Sequence, residues 1–128
     1  MRAFEELVAS ELAALLRAGV PARGMRLAVF ELVVARFDRG PMGAREVSDA
    51  VEEAVRAACR LVQELGAPEE LVDIVCRSAL EAVRGHGGQS ARWLGDATSA
   101  ASAVLDDQAR ARADEPSWRW LARRMPRG

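Results

Sequence analysis

Apolar positions recur along this chain at spacings of three and four, and glycine and proline cut that pattern into segments. The first runs from about Ala3 to Ala18, with Phe4, Leu7, Val8, Leu12, Leu15 and Leu16 on one side. Such spacing predicts an amphipathic helix with one stripe turned to a core. Gly19 suits the left-handed position after a helix, and Pro21 blocks continuation. The second segment, Met25 to Phe37, holds the β-prone residues Leu27, Val29, Phe30, Leu32, Val33, Val34 and Phe37. Its charges, Arg26, Glu31 and Arg36, fit neither the helical nor the strand period. It lies between helices with no partner strand in the sequence, so a helix is expected. Apolar nearly all round, that helix would be central or at a subunit contact.

Asp38 to Gly43 is a loop by composition. The third helix is expected from about Ala44 to Leu65. Its residues Val51, Val55, Ala58, Val62 and Leu65 form a heptad seam, suited to packing at about 20°. Glu52–Arg56 and Arg60–Glu64 are i, i+4 pairs, worth ~0.3 kcal/mol each. Gly66 then ends the helix, Pro68 fits the first turn of the next, and Glu69 and Glu70 complement its dipole. So short a turn predicts an antiparallel hairpin formed by residues 44–65 and 69–84. The fourth helix, with Leu71, Val72, Ile74, Val75, Ala79, Leu80, Ala82 and Val83, should be deeply buried, and Gly85-His86-Gly87-Gly88 breaks it.

A fifth helix is expected over residues 89–113, anchored by Trp93, Leu94, Val104 and Leu105. Between the anchors, Ala97, Ala100, Ala101 and Ala103 offer a face for close approach of a neighbour. Ser117 can cap a final short helix with Trp118, Leu121, Ala122 and Met125 on one side. The reading is therefore all-α: a compact bundle of about five helices plus a short C-terminal helix. Residues 1–113 form the bundle domain, and residues 114–128 a basic, Trp-containing tail.

Composition supports one globular domain: the chain has 128 residues and half of them are apolar. All eighteen basic residues are Arg, and Asn and Tyr are absent. GC-rich codon usage accounts for this bias; the competing reading is selection for bidentate carboxylate or phosphate contacts. A net charge of −1 argues against general nucleic-acid binding. The first eleven residues hold three acids and no apolar h-region. The longest nearly apolar run, residues 27–35, is nine residues with Glu31 inside it, where a membrane span needs roughly twenty. A soluble, cytoplasmic protein is the expectation, and two cysteines fit a reducing compartment.

Charge is unevenly placed. Residues 116–128 carry four Arg, two of the three Trp and no acid, whereas residues 1–115 hold fourteen Arg against nineteen acids. The tail is thus +4 on a body of −5. Two readings compete. Trp118 and Leu121 could cover an open end of the bundle, with the arginines against the acidic body. Otherwise the tail is a docking peptide for an acidic groove or an anionic surface. In that case Trp118, Trp120, Leu121 and Met125 supply apolar contact, and Arg119, Arg123 and Arg124 supply the ionic contacts.

Candidate chemistry is sparse. His86 is the only histidine and reads as a solvated loop residue. No Glu-x-x-His, Gly-x-Ser-x-Gly or phosphate loop after a strand occurs, so no catalytic residue and no cofactor are expected. Cys59 and Cys76 lie at similar distances either side of the hairpin turn. They could face each other as a thiol pair or half a metal site, or serve as small buried apolar residues. A four-thiolate zinc site would need two subunits. Residues 43–51 resemble the first helix of a helix-turn-helix, but no turn and polar recognition helix follow.

The expected function is a non-enzymatic structural or adaptor protein. It self-associates, most simply as a dimer through the surplus apolar surface of helix two and the alanine face of helix five, and docks a protein partner through its tail. A thiol-based redox or metal-binding protein using Cys59 and Cys76 is the alternative, and a DNA-binding regulator a further one.

Overall fold

The computed structural model describes residues 3–39, 43–85 and 90–113. Within them the chain forms α1 (Ala3–Arg17), α2 (Ala22–Phe37), α3 (Ala44–Leu65), α4 (Glu70–Arg84) and α5 (Ser90–Ala113), and no strand. The all-α bundle expected from the periodicity is what forms. The expected C-terminal helix and His86 lie outside the described residues.

The boundaries follow local chemistry. Gly19 and Gly66 both take a left-handed conformation, with φ of 71° and 68°, which a side chain would strain. After Gly19, Val20 N–H donates to the Leu15 carbonyl five residues back at 3.0 Å, and after Gly66, Ala67 N–H donates to the Leu61 carbonyl six residues back at 3.2 Å. Pro21 stands at the extended N-cap of α2, so that helix begins three residues earlier than Met25 and takes in Gly24. A Cβ on Gly24 would lie 2.6 Å from Val20 Cγ1. The bare glycine thus lets the α1–α2 turn close down on α2. At α3, Gly43 N–H donates to Glu46 Oε2 at 3.0 Å, satisfying a backbone donor at the helix start.

α3 is the centre of the bundle, not α2. It packs against each of the other four helices, most extensively α5 and α1, while α2 packs chiefly on α4. Of the two places expected for α2, the central one is overturned: α2 is rich in bulky apolar residues, whereas α3 takes the centre with small ones. Ala50, Ala54, Ala57 and Ala58 are fully buried with Val47, Val51 and Val55, so neighbouring helices approach its backbone closely. This stripe is wider than the expected seam, and the seam fails at its end. Val62 is only half-buried and Leu65 is 62 % exposed.

α2 buries one edge, Met25, Val29, Val33 and Phe37, at strict i, i+4 spacing, and leaves Leu27 59 % exposed. α4 buries Leu71, Val75, Ser78, Ala79, Ala82 and Val83, with Val72, Ile74 and Leu80 half-buried. In α5, Ala97, Ala101 and Val104 are buried. Because α5 packs on α3 and α4, Ala97 and Ala101 are already used inside the protomer, while Ala100 is half-buried and Ala103 exposed. Of the face expected to serve between subunits, Ala97 and Ala101 are thus taken up by α3 and α4. α3 and α4 pack together across the short connection 66–69. Gln63 donates to Gln108, which sets the last turns of α5 beside the last turn of α3.

One carboxylate escaped the periodicity. Glu5 is 4 % exposed, flanked on the buried face of α1 by Phe4, Val8 and Ala9. Arg60 on α3 donates to Glu5 Oε2 at 3.3 Å and to Glu6 Oε1 at 2.7 Å, and lies 3.8 Å from Glu64. The bonds to Glu6 and then Glu5 hold its guanidinium still more firmly protonated than usual. Glu5 N–H donates to Glu53 Oε1 at 3.4 Å, so a carboxylate of α3 sits at the start of α1. Arg60→Ala should therefore lower the urea midpoint, because it removes a charged partner from a buried carboxylate. Glu6→Ala, at an exposed site, should change it much less. Equal effects would show that Glu5 draws nothing from Arg60.

Candidate functional site

The seven tail residues proposed for partner contact, Trp118, Arg119, Trp120, Leu121, Arg123, Arg124 and Met125, lie outside the described residues. The two cysteines can be placed. Cys59 is buried on the inner face of α3, and Cys76 is half-buried on α4. Neither forms a disulfide. Burial pushes the Cys76 thiol pKa up and Asp73 adds to this, while Arg77 opposes it. A thiol held in its neutral form is a poor nucleophile, since the thiolate carries the reactivity. Cys76 should react with a disulfide reagent more slowly at neutral pH than a small free thiol, and faster as pH rises. Cys59 should react only after denaturant is added. Rapid labelling of both in the native protein would contradict this arrangement. Among the described residues no three His, Cys, Asp or Glu side chains cluster as metal ligands.

Surface concavities supply the remaining candidates. One of about 280 Å³ lies between the start of α1 and the end of α2, lined by Phe4, Leu7, Arg36, Arg39 and Glu53 among others. A second, about 310 Å³, lies on the outer side of α2 and α4. Leu27 and Phe30 form its apolar floor, and Arg23, Arg26 and Glu81 its edge. Arg26 Nη2 and Glu81 Oε1 are 3.2 Å apart, with side chains 49 % and 53 % exposed. An ion pair this exposed contributes ~0–1 kcal/mol to a protomer. Two further hollows open beside the α1–α2 and α3–α4 turns, sharing Leu16.

Sequence reasoning anticipated surplus apolar surface on α2 but not where it would emerge. Leu27 is two residues from Met25 and Val29, so it points away from the buried i, i+4 edge; that offset was readable. The exposure of Leu65 was not, because its periodicity places it in the seam. Among the described residues no helix is long and apolar enough to cross a membrane. No family model, no curated protein and no solved structure matches this chain.

Proposed function

We propose that this protein is a non-enzymatic helical adaptor that self-associates, most simply as a dimer. In this reading it contacts an acidic protein partner through residues 116–128. The observation that supports self-association is the α2–α4 surface, where Leu27 stands 59 % exposed beside Phe30 and next to a complementary Arg and Glu. A two-fold axis through this surface sets Leu27 and Phe30 against their copies, and lets Arg26 of one protomer meet Glu81 of the other. Each patch offers an apolar centre to its copy, with Arg26 and Glu81 as the one pair of opposite charge to exchange and Arg23 beside them. The basic tail, with its two tryptophans, has the composition of an interface anchor, rich in Arg and Trp.

A charge-reversal pair tests the contact. Arg26→Glu should weaken association while barely moving the melting temperature of the protomer, and adding Glu81→Arg should restore it. Loss in both variants alike, or in neither, would reject this surface as the interface. Elemental analysis separates the adaptor from a thiol-based metal protein. Stoichiometric zinc, iron or copper that disappears on changing Cys59 and Cys76 to Ser would contradict the adaptor reading.

A further inference from the structure

The two hollows near the helix turns form one apolar trough at one end of the bundle. In the larger, about 360 Å³, Leu16 and Leu65 stand with Ala13, Ala67 and Arg17. The smaller, about 190 Å³, shares Leu16 and continues past Pro68 to Leu71. Ala67 and Pro68 are consecutive, so the two openings adjoin. The trough is apolar because α3 ends at Leu65, leaving a 62 % exposed leucine beyond the last packed turn. Glu70 and Arg17 both line it, and the exposed carboxylates Glu64 and Glu69 are sequence neighbours of its lining residues Leu65, Pro68 and Glu70.

α5 delivers the following chain to this same end. Gln108 bonds Gln63, two residues before Leu65, and α5 ends at Ala113. Five more helical residues add only ~7.5 Å. Residues 114–128 follow directly on Ala113, and fifteen residues reach as far as ~50 Å when extended. They carry aromatic bulk for the trough's floor and arginines for its carboxylates.

We infer that this trough seats the chain's own residues 116–128, with Trp118 and Leu121 against Leu16 and Leu65 and the arginines against Glu64, Glu69 and Glu70. The inference rests on reading the tail as a docking segment and is independent of self-association. Tethering gives the tail an effective concentration on the order of millimolar at its own seat. A partner must then compete with the trough, so tail access is controlled within the chain.

Tryptophan fluorescence of the full chain tests this in a Trp93→Phe background, where emission comes from Trp118 and Trp120 alone. The expected emission is blue-shifted and shielded from acrylamide relative to a synthetic 116–128 peptide, at every protein concentration. Leu65→Glu should return both readings to the peptide values with circular dichroism unchanged. The tail variant Arg123→Glu/Arg124→Glu, which does not touch the bundle, should move them the same way and decides the matter if Leu65→Glu perturbs folding. Peptide-like emission in the parent protein would overturn the inference. So would shielding that survives both variants, or that appears only as copies associate, which would assign the trough to a second copy. Mass measured on the same samples reports self-association separately.

Discussion

Leu27→Glu should turn an associated chain into a monomer without unfolding it. Leu27 is 59 % exposed in the protomer, so the substitution removes little packing there and leaves the melt of the isolated chain nearly unchanged. In an isologous contact the same residue is buried twice. Completing the burial of two such leucines is worth about 2 kcal/mol, a loss of roughly 30-fold in affinity. The introduced carboxylate enlarges the effect, because it must be desolvated opposite its own copy. Sedimentation of wild type and variant measures this directly. Unchanged association would place the interface elsewhere.

Phe37→Ala should produce the largest loss of stability. Among the described residues Phe37 is the largest fully buried side chain, and it is the last of the α2 residues facing inward, at 2 % exposure. It stands one residue before the α2 C-cap, where Asp38 N–H still donates to the Val34 carbonyl at 3.0 Å. Truncating a buried Phe costs about 3–5 kcal/mol, through lost transfer energy and the cavity left behind. For a domain of this size that lowers the melting temperature by more than about 10 °C. Leu65→Ser, at an exposed site, should lower it by only a small fraction of that if the trough is empty and by more if the tail is seated there. A mild response at Phe37 would mean that α2 packs more loosely on α4 than its buried edge indicates.

How much of this was readable in the sequence depends on how far each feature is local. Helix ends were readable where Gly19, Pro21 and Gly66 act on their own backbone. The segment 25–37 was correctly read as helical from its length and setting, although its residues are β-prone. The centre of the bundle was not readable from hydrophobicity. Centrality here depends on small side chains, and Ala54 or Ala57 carries no more hydrophobic signal than an exposed alanine such as Ala35. The burial of Glu5 was likewise hidden. Its cause is Arg60, 55 residues away, and only tertiary structure brings the two together. Of the proposed site, composition alone gave the expectations of excess apolar surface on α2 and of a basic, aromatic tail, and the tail lies outside the described residues. The site's placement depends on Leu27 and Leu65 facing outward.

Self-association is the central claim, and the mass of the full chain in solution tests it most directly. Light scattering across a micromolar concentration series should give twice 13.9 kDa, falling toward the protomer value on dilution and in Leu27→Glu. A mass of 13.9 kDa throughout the series would contradict the account, leaving the α2–α4 surface without a copy to cover it.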